Sequence, residues 1–354
     1  MEENITFRIA ARCEAAGRPD NEDNYQICDN LDDNRWGFTT DQEVTLSSRG
    51  ALLVVADGMG GLNAGEEASA IAVETVKKYF AADRLGDDRL SSPDAIRKYI
   101  MEVICAADRA IKREGAADKS KRGMGSTIVL AWLTGRRIYV GWCGDSRAYR
   151  FNPAVGLERI SHDHSYVQEL VDAGKLQPEL AFNHPDSNII TRSLGDPGRK
   201  AASDVLDFPL CNGDVFLLCS DGLSGVLCDG DIGRAISGNL QSLEAVREAL
   251  WDTSCEAGWN DNVTIALCQV LSGGEEASPL AAAESAVKRF DTTTLPLWLP
   301  VRKKLPPVMR RMLILLLAAI LGALSAIFLW EKGGVRKHII HDTGKVYQER
   351  IMEE

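Results

Sequence analysis

From Gly125 to Val270 the chain is a succession of short strand-like runs: STIVLAWL, RRIYVGWCGDSRAYRF, LERIS, DVLDFPL, GDVFLLCSDG and DNVTIALCQV. They are rich in β-branched and aromatic residues, and turns such as Thr134-Gly135 and Asn152-Pro153 separate several of them. Two helical pieces intervene, SYVQELVDAG and LEAVREALWDTSCEA. A doubly wound parallel sheet needs a crossover helix between successive strands, so this order points instead to an α+β layered fold. The N-terminal part adds strands at 5–12, 25–29 and 51–56, around a polar excursion at 30–50. In NAGEEASAIAVETVKKYF the residues Ala68, Ile71, Ala72, Val76 and Phe80 recur at helical spacing. A second helix is predicted in SSPDAIRKYIMEVICAADRAI, with Ser92 as its N-cap and Pro93 at its first position.

The charge is unevenly divided. The net charge is −11, yet residues 301–354 hold ten Lys/Arg against five Asp/Glu. The tail is therefore +5 and residues 1–300 are −16. An acidic body argues against a nucleic-acid surface, which needs a basic patch. The nine cysteines form no CxxC and sit in apolar stretches such as VFLLCSD, as small buried hydrophobes in a reducing compartment do. The N-terminal MEENITFRIAARCE lacks the apolar core of a signal peptide.

After Val270 composition shifts to Gly, Ser, Thr and Pro without a sustained period, so residues 272–311 read as a largely disordered linker. Met312 to Trp330 contains no charge. At 1.5 Å per residue it would span about 28 Å, close to a bilayer's hydrocarbon core. Arg302, Lys303, Lys304, Arg310 and Arg311 precede it. The expectation is a single-pass transmembrane helix at 312–330 in the inner (cytoplasmic) membrane, with residues 1–271 facing the cytoplasm and a short tail, 331–354, across it.

Three runs share one form, a strand ending in an aspartate followed by Gly or Asn: VVADG at Asp57, LLCSDG at Asp221 and WNDNVT at Asp261. GWCGDSR adds Asp145. One Asp-Gly is an ordinary turn; several in one chain ask for divalent cations, since stacked carboxylates repel and hard cations take oxygen ligands. Gly58 adds a backbone carbonyl, and the glycines around Asp57 read as space for water and substrate. RPDNEDNY brings Arg18, suited to a phosphate, and the acidic pair Glu22–Asp23.

The ordered set RPDNED, VVADGMGG, GMGSTIVL, GDSRAYR, SHDHSYVQELVDAGKL, NIITRSLG, LLCSDGLSG and DNVTIA resembles the metal-dependent serine/threonine protein phosphatases of type 2C in their bacterial form. The resemblance covers about residues 5–270. It implies a central antiparallel β-sandwich flanked by helices on both faces, αββα, with a metal centre at one end. It implies that Asp57 bridges two Mn²⁺ or Mg²⁺ ions, that Gly58 gives its carbonyl to one, and that Asp221 and Asp261 complete the other. Glu22 and Asp23 match positions that act through metal-bound water, and Arg18 matches the phosphate-binding arginine. Residues 176–190 correspond to a mobile flap beside the active site. A metal-activated water would then attack the phosphoester of phosphoserine or phosphothreonine without a covalent intermediate. The implied partners are phosphorylated proteins and a cognate serine/threonine kinase.

Two departures stand out. Met59 occupies a position where many eukaryotic members carry histidine, which leaves His162 and His164 as candidate acids against the commoner buried or capping role. Gly225 replaces the aspartate that joins Asp145 at a third metal, so a third ion is doubtful and Asp145 ranks below the other ligands. The competing reading is a catalytically weak pseudophosphatase that binds phosphoproteins as a regulatory module. GMGGLNAG as a nucleotide-phosphate loop fails because no Gly-Lys-Ser/Thr follows.

Overall fold

The computed structural model describes residues 4–60 and 64–277, which belong to one compact unit. Strand pairing builds two sheets. One runs in the order β10 (Gly156–Arg159), β9 (Arg147–Asn152), β12 (Val215–Cys219), β13 (Val263–Ser272), β1 (Thr6–Glu14), β4 (Val44–Thr45). The other runs β11 (Asp204–Pro209), β8 (Arg137–Cys143), β7 (Ile128–Thr134), β5 (Ala51–Met59), β2 (Asp23–Asn30), β3 (Arg35–Trp36), and β6 (Gly125–Ser126) pairs with the end of β5. Neighbouring strands are antiparallel, as the expected sandwich requires.

The period-2 alternation of side chains decides where each strand's residues go. On β5, Leu53 and Val55 enter the core between the sheets, with Ile9 and Phe7 of β1 and Leu218 and Phe216 of β12. Leu52, Val54 and Ala56 face the other way, onto α1 (Ala64–Phe80) and α2 (Pro93–Ala117). Across the molecule, Leu217 and Cys219 of β12 and Ile265 and Leu267 of β13 pack on α6 (Asp229–Ser237) and α7 (Leu243–Ala257). Three cores between four layers make the αββα architecture. Three short helices complete it: α3 (Tyr166–Asp172), α4 (Pro178–Ala181) and α5 (Asp221–Ser224).

The helix starts follow local chemistry. Ser92 accepts the Ala95 N–H at 3.2 Å and Pro93 opens α2, as predicted. Within the 30–50 excursion, which carries only the two-residue strands β3 and β4, Asp41 accepts the Leu243 and Glu244 N–H groups at 2.8 and 3.1 Å and so caps α7 from a distance in sequence.

Two expectations are corrected. RRIYVGWCGDSRAYRF is not one strand: β8 ends at Cys143 in one sheet and β9 begins at Arg147 in the other. Gly144 makes the crossing at φ +123°, where a β-carbon would stand 2.6 Å from Thr127 Cβ. α6 was not legible: DGDIGRAIS is short and carries two glycines, and burial of Ile232 and Ile236 against β9 and β12 supports it. All nine cysteines are free; Cys228 and Cys255 are exposed rather than buried. Among the described residues no helix is long and apolar enough to cross a membrane. The span at 312–330, the tail and all but the first residues of the linker lie outside the described residues.

Candidate metal centre

The strand ends deliver acids from both sheets to one end of the sandwich. Asp57 near the end of β5 lies in register opposite Asp23, the first residue of β2. From the other sheet come Asp221, two residues past β12 at the start of α5, and Asp261, just before β13. Asp145 sits in the crossover between the sheets. The antiparallel order makes this possible, because one strand's end abuts the next strand's beginning.

These carboxyls feel one another. Burial, then the charges of Asp221, Asp23 and Asp145, push the Asp57 carboxyl well above its ordinary range. Burial, then Asp221 and Asp163, do the same to Asp145. Asp221 is raised by burial and by Asp261, and it is hydrogen-bonded to Asp57, which holds it down. Asp23, 4% exposed, is pushed up to about 7 by burial, against the hydroxyls of Ser220 and Thr264 that donate to its Oδ2 at 2.6 and 2.7 Å. Asp145 is 7% exposed, and its Oδ1 is buried with no hydrogen-bond partner. Such an orphan costs free energy unless a proton or cation takes it. Among the described residues no three acidic, histidine or cysteine side chains close into a compact metal cage. A donor set of carboxylate oxygens and the Gly58 carbonyl, without thiolate or imidazole, fits hard divalent cations.

Beneath the acids lies a layer of hydroxyls and amides that sequence reasoning missed. Thr127 accepts the Asp57 N–H at 3.1 Å, and its own N–H donates to the Asp57 carbonyl at 2.8 Å. Its hydroxyl also bonds Ser146 of the crossover at 2.6 Å. Asn262 accepts the Glu22 N–H at 2.9 Å and donates to the carbonyls of Ala15 and Asp20 at 3.0 and 2.8 Å. It thereby staples the Arg18–Glu22 loop to β13. The available signal was weak: Ser-Thr at the head of STIVLAWL and Asn after Asp261. Glycine has a different task from the one expected. A β-carbon on Gly58 would stand 2.0 Å from the Gly65 carbonyl oxygen, and one on Gly222 1.8 Å from that of Asn262. These glycines let backbones touch, rather than clear space for solvent.

Arg18 is half-exposed and pairs with Asp261 at 2.8 Å, while its Nε donates to the Asn260 carbonyl at 3.0 Å. Its guanidinium thus stands beside an expected metal ligand. The Glu22 carboxyl lies against Gly65 at the start of α1 and is raised by burial, with Arg18 lowering it. Each of the two histidines is held by a carboxylate. His164 is buried, its Nδ1 accepting the Gly144 N–H at 3.1 Å and its Nε2 bonding Asp204 at 3.0 Å. It holds the turn that carries Asp145. His162 bonds Asp172 at 2.8 Å. A second unpredicted element is the Arg147–Asp163 pair at 2.7 Å, both nearly buried, whose cation bears on Asp145 and Asp221. The 176–190 segment carries α4 and exposes Leu180, Phe182 and Ile189; the Tyr166 N–H donates to the Ile189 carbonyl at 2.8 Å beside it.

An αββα sandwich that gathers carboxylates from both sheets at one end defines a protein built around a divalent-metal centre. The chain belongs to the protein phosphatase 2C family, whose sequence model matches residues 40–295. It is 29% identical over 229 residues to the serine/threonine phosphatase Stp of Listeria innocua, covering 64% of this chain and 88% of that one. It is 34% identical over 249 residues to the serine/threonine protein phosphatase PstP of Mycobacterium tuberculosis, covering 69% of this chain and 45% of that one. Among solved structures, the PstP catalytic domain in complex with two manganese ions superposes with a TM-score of 0.60 at 28% identity, covering 76% of this chain and all of that one.

Proposed function

We infer that the chain is a metal-dependent protein serine/threonine phosphatase that hydrolyses phosphoserine and phosphothreonine esters. The observation that carries this is the meeting of Asp57, Asp23, Asp221 and Asp145 from two sheets, close enough to raise one another's pKa. Asp57, Asp221, Asp261 and the Gly58 carbonyl would hold two Mn²⁺ or Mg²⁺ ions, with Glu22 and Asp23 behind them. When bound, such ions supply positive charge for the phosphoryl oxygens and an activated water for in-line attack on phosphorus. The two-manganese complex of the PstP domain supports a pair. Arg18 swings from Asp261 to phosphoryl oxygens, to which its planar fork is suited. Met59 carries no proton for the leaving oxygen. At Gly225 a β-carbon would stand 2.7 Å from the Asp221 carbonyl oxygen, and the glycine offers a third ion no carboxylate to join that of Asp145.

Hydrolysis of a phosphothreonine peptide with Mn²⁺ against EDTA tests this reading, with Asp57→Asn and Asp221→Asn as controls. Each substitution is expected to cost about two to three orders of magnitude in kcat. Turnover that survives chelation or both substitutions overturns it.

We also take Met312–Trp330 as a single membrane span that tethers a cytoplasm-facing catalytic body, acting against a serine/threonine kinase of the same cell. The uncharged 19 residues and the basic residues before them support this. The protein should stay with membranes through alkaline carbonate washing and leave them when 312–330 is deleted.

A further inference from the structure

The outer face of α1 and α2 carries a groove of about 1210 Å³ that the reaction chemistry does not use. Its floor is small and apolar, with Ala70, Ile71, Ala106 and Ala110. The alanines keep the two helices' exposed ridges low, which is why a groove remains. Its acids are already matched: Lys121 bonds both Glu67 and Glu114 at 2.6 Å, and Lys77 stands 3.9 Å from Glu74. Four of its five cations are not; the fifth, Lys112, pairs with Asp108 at 2.7 Å. Lys78, Arg84, Arg109 and Arg113 line the groove, are exposed, and form no ion pair among the described residues. Arg109 and Arg113 lie four apart on α2 and therefore share one face of it.

Four unmatched cations over an apolar floor are out of keeping with a body of charge −16. They are complementary to a chain that brings its own negative charge. We propose that the α1–α2 groove docks an Asp/Glu-rich segment of the protein substrate while that substrate's phosphoresidue reaches the metal centre. This rests on the phosphatase reading. The lined stretch of α1, Glu67 to Tyr79, is about 18 Å long, enough for five or six extended residues. Its near end is one helical turn from Ala64, where α1 abuts Gly58 and Glu22 of the metal centre. One substrate chain can therefore occupy both. A groove between two helices suits a peptide rather than the flat face of a bilayer, and the acidic body repels anionic lipid. Carboxylates fit better than phosphates as the docked charge, because a phosphatase does not remove them.

The test uses the full chain with Mn²⁺ and three substrates: p-nitrophenyl phosphate, a neutral phosphothreonine peptide, and the same peptide with a six-residue Glu/Asp tract on either side. The acidic peptide should show a KM about tenfold lower than the neutral one with similar kcat, as several exposed charge contacts provide. Arg109→Glu/Arg113→Glu should abolish that advantage and leave turnover of p-nitrophenyl phosphate and of the neutral peptide unchanged. Arg109→Gln/Arg113→Gln, which adds no repulsion, should shrink it. Equal KM values in the native protein overturn the proposal. So does a preference that survives charge reversal, or charge reversal that removes only binding to phosphatidylglycerol vesicles. Failure of the native protein to turn over p-nitrophenyl phosphate with Mn²⁺ sinks the phosphatase reading itself, and is thereby told apart from failure of the groove.

Discussion

At Gly58 the limit is backbone contact. A methyl group there would meet the carbonyl oxygens of Gly65 and Glu22 at 2.0 and 2.6 Å, and neither can move without shifting α1 or β2. Gly58→Ala is expected to cost about 1–3 kcal/mol by overpacking, read as a lower urea midpoint, and to lower Mn²⁺-dependent turnover by displacing Asp57. Asn262 is the second such residue, since one side chain ties Glu22, Ala15 and Asp20 to β13. Asn262→Ala takes the partner from the half-buried Glu22 N–H and from the Asp20 carbonyl, while the Ala15 carbonyl keeps the Arg18 N–H, an expected loss of about 1–3 kcal/mol; an unchanged midpoint would refute the staple. The acids themselves were legible, because an aspartate that stops an apolar run repeats at Asp57 and Asp221. Their supports were not. Ser, Thr and Asn near strand ends look alike whether they bond a catalytic loop or water.

Among the elements, the crossover Gly144-Asp145-Ser146 governs the site. It carries the chain from β8 to β9, places Asp145 between the sheets, and is held by Thr127 on one side and His164 on the other. Gly144→Ala should destabilise the fold by about 1–3 kcal/mol, since it adds strain at positive φ to a 2.6 Å contact with Thr127. A stability within error of the native protein would show that the turn tolerates a side chain. Sequence periodicity read the strands on either side correctly, yet could not tell that they part into two sheets. Both flanks alternate alike, and only pairing partners distinguish one sheet from the other. α6 escaped for a related reason: its helicity comes from the surface it covers rather than from its own composition.

For the molecule as a whole, the gathered acids set a dependence on pH. Burial keeps Asp23 protonated up to about 7 in the folded chain, whereas the unfolded carboxyl ionises near 4. Between those values the folded state binds more protons, so stability falls as pH rises, by up to about 4 kcal/mol. The raised Asp57, Asp145 and Asp221 act in the same direction. Urea midpoints in EDTA should therefore be lower at pH 7.5 than at pH 5. Mn²⁺ at about a hundred times its Kd should restore about 2.7 kcal/mol at the higher pH; a flat profile without metal would contradict the proximity of these acids. The sequence alone determined the layered α+β class, the family and the acids, because hydrophobic period and strand-terminal residues are local properties of the chain. Tertiary structure alone decided where the chain crosses from one sheet to the other, the hydroxyl layer under the acids, the pairing of Arg18 with Asp261 and the unmatched cations of the α1–α2 groove. Each depends on which distant segments meet, and that is settled by the simultaneous burial of three cores rather than by any one stretch.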